Sequence, residues 1–145
     1  MKESCIIIDL DGTLADIRHR RDQLTKNNDW KKFNSEMHLD GLNSWCKEII
    51  EKFKKSHKVL IVTGRSQDFS DSTEKWLLKH DVFFSKIFYR ESEDYRDDTI
   101  IKKEIYENKI KPNFLPLFVV DDRLKVVRMW RELGLVCLQC DVGDF

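Results

Sequence analysis

The chain has 145 residues, in which 26 basic side chains are balanced by 26 acidic ones. That length suits one compact domain with a real core, and the charge balance excludes a global basic field that would hold nucleic acid by counterion release. No apolar run approaches the ~20 residues of a membrane span, and the opening Met1, Lys2, Glu3 lacks a signal-peptide layout; the expectation is one domain over 1–145, cytoplasmic, with any nucleic-acid contact local.

Cys5 to Ile8 is an apolar run of strand length that ends in Asp9 and Asp11 of "DLDGT". Two close carboxylates at a buried strand end repel each other and are penalised by burial, so they call for a shared cation or a shared proton. "RHRR" (Arg18 to Arg21) then reads as a basic loop above Asp9. In "NNDWKKFNSEMHLDG", Trp30 and Phe33 stand three apart, placed either to stack on a base or to pack a small flap within 16–41 onto the core.

Leu42, Trp45, Cys46, Ile49, Ile50 and Phe53 repeat with helical spacing. "KVLIVTG" predicts the second strand, ending at Gly64, and Asp71 with Glu74 predicts a capping-box start for a helix through Trp76 and Leu77 to about His80. "KIFY" is the third strand. A helix with a less clean stripe is expected from Asp98 to about Ile110, and Pro112 and Pro116 then bracket a turn before a fourth strand, "LFVVDD". Val126, Met129, Trp130 and Leu133 form the last helical stripe, stopped by Gly134. "LVCLQ" is the fifth strand. Cys137 and Cys140 have half the spacing of a zinc site, but residues three apart on a strand point to opposite faces, so they read as structural. The alternation predicts a three-layer α/β/α, Rossmann-like domain on a mainly parallel five-stranded sheet.

In such sheets ligands bind beyond the carboxyl ends of the strands, and the polar residues gather there. Asp9 and Asp11 end the first strand, Thr63, Gly64 and Arg65 the second, and Asp121 and Asp122 the fourth, while Lys102 lies in the first turns of an intervening helix. In order, "DLDGT", "VTGR", Lys102 and "VVDD" resemble the four motifs of the haloacid dehalogenase superfamily of aspartate-based phosphatases. The fuller segments "DLDGTLA" with Arg20, "DYRDDTIIKKEI", "VVDDRLKVVRMWRELGL" and the terminal "GDF" are similar to the phosphatase domain of polynucleotide kinase-phosphatases of the phage type, which removes 3′-phosphates from nucleic acid ends. "GRSQDF" departs from that pattern in lacking a second glycine after the arginine.

Phosphate monoester hydrolysis needs a nucleophile, a counter-charge for the phosphate and an acid for the leaving oxygen. Asp9 has the place of the nucleophile. Asp11 would protonate the leaving oxygen and later activate water, a task that asks for a raised pKa. Gly12 lets the chain turn so that backbone N–H groups face the phosphate. Thr63 could donate to a phosphoryl oxygen, and Lys102 could neutralise the transferring group and keep Asp9 ionised. The resemblance implies Mg²⁺ held by Asp9, the backbone carbonyl of Asp11 and Asp122, with Asp121 nearby; spacing leaves open which of the adjacent pair touches the metal. It also implies roles in activity for Arg20, Arg65 and Asp98. Arginine suits phosphate because its planar fork is bidentate, and Asp98 would either orient one of those arginines or cap its helix.

Neither interval after the first two strands has room for a lid domain, so the site is expected to be capless and open to a bulky substrate. The expected activity is removal of 3′-phosphates from nucleic acid ends. The alternatives are a nucleotidase or small phosphate-ester phosphatase and, in another class, an inactive module that binds phosphorylated ends. No GxxxxGK[ST] motif occurs, so no kinase is expected within this chain; its oligomeric state is not legible.

Overall fold

In a computed structural model the described residues are 1–25 and 30–143, without the side chains of 23–25. Asn27, Asn28 and Asp29 of the aromatic segment, and Asp144 and Phe145 of the terminal "GDF", lie outside them. The elements run β1 (Glu3–Ile8), β2 (Ala15–Asp16), α1 (Arg18–Thr25), α2 (Trp30–Ser35), β3 (Gly41–Leu42), α3 (Ser44–Phe53), β4 (Lys58–Ser66), α4 (Ser70–Lys79), β5 (Lys86–Arg90), α5 (Asp98–Ile105), β6 (Phe114–Asp121), α6 (Leu124–Glu132) and β7 (Cys137–Gln139). Five strands form one parallel sheet in the order β5-β4-β1-β6-β7.

Strand periodicity divides the core in two. Cys5 and Ile7 face one layer with Leu60, Val62, Ile101, Val126 and Trp130, whereas Ile6 and Ile8 face the other with Ile61, Ile50, Trp76 and Leu77. β1 is thus buried on both faces, which is why it reads as continuous isoleucine. The predicted three-layer α/β/α architecture is present. Chain order reverses at β1, leaving β4 on one side and β6 on the other, and this is where a doubly wound sheet opens a crevice at its carboxyl edge. Cys137 and Cys140 fall in opposite core layers and all four cysteines are free, as strand geometry requires. Among the described residues no helix is long and apolar enough to cross a membrane.

Several boundaries differ from the expectation. "RHRR" lies on α1, not on a loop, and its members diverge: Arg18 is exposed and paired with Asp16, whereas Arg20 is buried. Leu42 belongs to β3, which pairs antiparallel with β2 and closes the base of a flap carrying α1 and α2. Asp71 does not cap α4: a 3₁₀ turn, Gln67–Phe69, precedes the helix, and Ser66 caps that turn by accepting from the Asp68 N–H. Pro116 lies inside β6. It is tolerated because β7 pairs only from Val119 onward and the β1–β6 register shifts just beyond it. The irregular stripe before Ile110 has a physical cause, since α5 passes into a π-helical turn, Tyr106–Ile110, where the 3.6-residue period is lost.

Asp97, not Asp98, caps α5, accepting from the Thr99 N–H at 3.0 Å and from Lys125 Nζ at 2.6 Å. The Lys125 ammonium and the cap hydrogen bond hold its carboxyl below the usual carboxylate range. Asp97→Ala is expected to lower stability by about 1 kcal/mol at neutral pH, the usual loss for an N-cap. Because the folded pKa is depressed, this difference is present above the unfolded carboxylate pKa and fades as pH falls below it, which urea denaturation of both proteins across acidic pH would measure.

Candidate active site

The carboxyl ends of β1 and β6 put three carboxylates around one ammonium. Asp9 follows β1 directly, its N–H bonded to the Val120 carbonyl of β6 at 3.0 Å, so the two strand ends are locked in register. Lys102, on the buried face of α5, reaches Asp9 Oδ1 at 2.8 Å and Asp121 Oδ2 at 3.0 Å. Thr13, of the same "DGT" turn, donates to Asp9 Oδ2 at 3.0 Å. Asp121 is fully engaged: its Oδ2 also accepts from the Trp130 indole at 3.1 Å, and its Oδ1 from the Asp122 N–H at 2.9 Å.

Asp122 differs, because its Oδ2 is buried and accepts no hydrogen bond among the described residues. Burial first, and then the Asp121 charge, push its carboxyl up to about 6. Asp9 is raised for the same reasons, with Lys102 opposing. Burial would lower the Lys102 ammonium, but Asp121 and Asp9 override it and hold it above the ordinary lysine value.

Three carboxylates and one ammonium leave two negative charges out of water. Asp9, Asp121 and Asp122 each offer an oxygen within 4.8 Å of the others. An all-oxygen donor set with an excess of two charges and an orphaned carboxylate oxygen fits a hard divalent cation. Gly12 lets the Asp122 carboxylate approach the turn: φ is +83°, and a Cβ there would stand 2.1 Å from Asp122 Oδ2.

A second charge cluster surrounds Asp11, and here the structure corrects the expectation. Arg65 Nη2 donates to Asp11 Oδ1 at 2.7 Å and Arg20 Nη2 to the same oxygen at 2.5 Å. Burial would raise the Asp11 pKa, but Arg65 and then Arg20 override it and hold the carboxyl well below the usual carboxylate range, opposite to the raised value expected. Arg20 is fully buried, with its remaining nitrogens on Asp40 at 2.7 Å and on the Phe33 carbonyl at 3.3 Å. Its guanidinium lies 4.1 Å from the Phe33 ring centroid. It therefore holds Asp11 and does not reach outward to a phosphate.

Arg65 also binds Asp40 and Thr73, and its own N–H is accepted by Thr63 Oγ1 at 3.1 Å, so the fully buried Thr63 keeps its hydroxyl hydrogen to donate. Asp98 neither orients these arginines nor caps its helix. Its oxygens accept from Arg90 and, at 3.1 Å, from Arg123. Gly64 permits this approach, since a Cβ there would stand 2.5 Å from Asp98 Oδ1.

Sequence reasoning missed Asp40, Arg90 and Trp130. Asp40 is the anchor of the arginine pair, and its backbone carbonyl accepts from the Trp76 indole at 2.9 Å. In the sequence it is one aspartate before a glycine, which reads as a turn. The site opens into a cleft of about 720 Å³ lined by Asp9, Asp11, Gly64, Arg65, Lys102 and Asp122 and walled by the flap and the β5–α5 loop.

An aspartate at a strand end, a second two residues on, a buried lysine and a carboxylate pair on the neighbouring strand thus stand together at the carboxyl edge of a haloacid dehalogenase fold. Residues 3–145 match the family described as the polynucleotide kinase PNKP phosphatase domain, and the chain belongs to it. It is 30% identical over 133 residues, 90% of its length, to a putative bifunctional polynucleotide kinase/RNA ligase of Autographa californica nuclear polyhedrosis virus, of which it spans 18%. It superimposes on a chain of a Pnkp1/Rnl/Hen1 RNA repair complex with a TM-score of 0.87 at 33% identity, over 99% of this chain and 44% of that one. The chain thus spans less than half the length of either relative. A haloacid dehalogenase-like hydrolase from Streptococcus pneumoniae, 16% identical with a TM-score of 0.63 over 94% of this chain and 84% of that one, shares the fold.

Asp40→Ala would leave the Arg20 guanidinium buried with half its partners removed. The expected loss is about 3–5 kcal/mol of stability, as for a broken buried ion pair, read by urea denaturation. Phosphatase activity should fall with it, because Asp11 loses its fixed orientation.

Proposed function

We propose that this chain is a Mg²⁺-dependent phosphatase that removes 3′-phosphates from nucleic acid ends through an aspartyl-phosphate on Asp9. The observation that carries the reading is the placement of two aspartates two residues apart: Asp9 stands at the strand end with Lys102 at 2.8 Å among the Asp121 and Asp122 carboxylates, and Asp11 is held by two arginines across the turn. Membership of the phosphatase-domain family supports the 3′-end substrate.

In the first step an Asp9 oxygen bonds to phosphorus, the ester P–O bond breaks, and the leaving oxygen takes a proton from Asp11. Asp11 rests ionised, and an incoming phosphate dianion beside it favours the protonated form that this step needs. In the second step Asp11, now a carboxylate, takes a proton from water as the water oxygen bonds to phosphorus, and the Asp9–phosphorus bond breaks to restore the Asp9 carboxylate. Thr63 donates its hydroxyl hydrogen to a phosphoryl oxygen, and Lys102 orients Asp9 and offsets the phosphate charge. Mg²⁺, held by Asp9, Asp122 and the backbone carbonyl of Asp11, would supply further charge neutralisation at the phosphoryl oxygens. Asp121 shares the Lys102 ammonium with Asp9 and holds it in place.

The cleft volume is also that of a small-molecule site, which keeps a nucleotidase as the second reading. The company of the relatives supports a place among end-healing reactions, with phosphorylation and ligation supplied by other domains or chains.

Asp9→Asn is expected to reduce phosphate release to background while the protein stays folded. A panel of 3′-phosphorylated, 5′-phosphorylated and 2′,3′-cyclic ends should show clear preference for the first; equal or better rates on the 5′-phosphate or on free 5′-nucleotides would move the assignment to the nucleotidase. Mg²⁺ at a hundredfold excess over its Kd should stabilise the protein by about 2.7 kcal/mol. Asp122→Ala should remove most of that gain, both measured by thermal denaturation with and without the ion.

A further inference from the structure

Among the described residues, ten carboxylates and six basic side chains line the cleft. Each of the six is already paired with a carboxylate, as Arg90 and Arg123 are with Asp98 and Arg96 is with Asp94 and Glu104. Even with a divalent cation at the carboxylate cluster, a phosphodiester backbone laid along this cleft meets a wall of net negative charge whose cations are occupied. Counterion-release binding needs unengaged Lys or Arg facing successive phosphates.

The same wall offers aromatic surface. Tyr95, in the loop between β5 and α5, is 89% exposed, and Trp30, on α2 of the flap, is 51% exposed; both line the cleft. Phe33 stands apart from them, since it is buried with its ring against the Arg20 guanidinium. The loop that presents Tyr95 is pinned on both sides of the ring: Asp94 and Glu104 hold Arg96, and Arg90 donates to the Asp94 carbonyl at 3.0 Å. Trp30 is braced edge-on by Phe33, with ring centroids 5.6 Å apart. An exposed aromatic on a fixed support is the recurring platform for a nucleobase, and stacking is sequence-tolerant because every base has a π-face.

We propose that Tyr95 and Trp30 form a stacking site for the nucleobase of the terminal nucleoside, so that the cleft holds a nucleic acid end by its last base and its terminal phosphate and not by its backbone. This rests on the reading of the site as one for nucleic acid phosphate ends. The footprint is short, and a single strand or frayed end is required, because a paired terminal base has its inner face covered by the neighbouring pair and its edge held by its complement.

The test compares KM for a 3′-phosphorylated mononucleotide, trinucleotide and decanucleotide, and for a decanucleotide whose 3′-phosphate is on an abasic residue. The expected result is a KM that hardly changes with length, a tenfold or so higher KM for the abasic end, and a slope of log KM against log salt no steeper than about 0.7, that of one phosphate on a single strand. Tyr95→Ala should close the gap between base-bearing and abasic ends, and Tyr95→Phe, which keeps the ring, should preserve it. A KM that falls steeply with length, a salt slope twice the stated value or more, or a Tyr95→Ala variant that leaves the gap intact overturns the proposal. Failure of the parent reading looks different: 3′-phosphate ends would then be poor substrates at every length.

Discussion

The buried contact of Lys102 with Asp9 and Asp121 is the constraint around which the rest of the molecule is arranged. A lysine with nearly all of its surface buried is tolerable only where carboxylates meet its ammonium directly, and here two do, at 2.8 and 3.0 Å. Those carboxylates belong to the ends of β1 and β6, and the lysine to α5, so three segments distant in sequence must converge within a few ångströms. The parallel pairing of β1 with β6, the cap on α5 and the Trp130 indole on Asp121 all fix that convergence. What they leave over is charge, because the third carboxylate, Asp122, has no cation of its own.

The Asp11 cluster is balanced in a different way. Two aspartates, Asp11 and Asp40, face two arginines, Arg20 and Arg65, and every charge has a partner at hydrogen-bond distance. This cluster needs no ion to be stable out of water. The two clusters meet across the "DLDGT" turn, one short of positive charge and one self-neutralised. A phosphate entering between them meets Lys102 on one side and, on the other, arginines whose forks are already occupied. In the proposed reaction Arg20 and Arg65 therefore bear on the phosphate only through Asp11.

Much of this was legible in the sequence, for stated reasons. Strands buried on both faces show as apolar runs, and polar residues at their carboxyl ends stand out against them, as Asp9, Asp121 and Asp122 do, whereas Lys102, on α5, is legible only through its place between those strands. The flap was less legible because it consists of a two-residue strand pair and short helices with no period long enough to register. Asp40 and Arg90 act through partners far away in the chain, and neither carries a local pattern. Pro116 misled because proline is barred only from strand positions whose N–H has a partner to bond, and at Pro116 β7 has not yet begun.

The protonation state of Asp11 shows where such reading stops. Its task as an acid argues for a raised pKa, and its spacing from Asp9 argues that the two share one environment. Both arguments treat the pair as a local unit. Yet burial acts on both residues alike, and what separates them is which cations the fold delivers: one lysine shared by Asp9 and Asp121 on one side, two guanidinium forks shared by Asp11 and Asp40 on the other. The side chains that decide this come from α5, α1 and β4. Two aspartates separated by one leucine are therefore pushed in opposite directions, and their parts in the proposed reaction follow from position, Asp9 at the strand end beside Lys102 and Asp11 on the arginine side, not from the resting charge of either carboxyl.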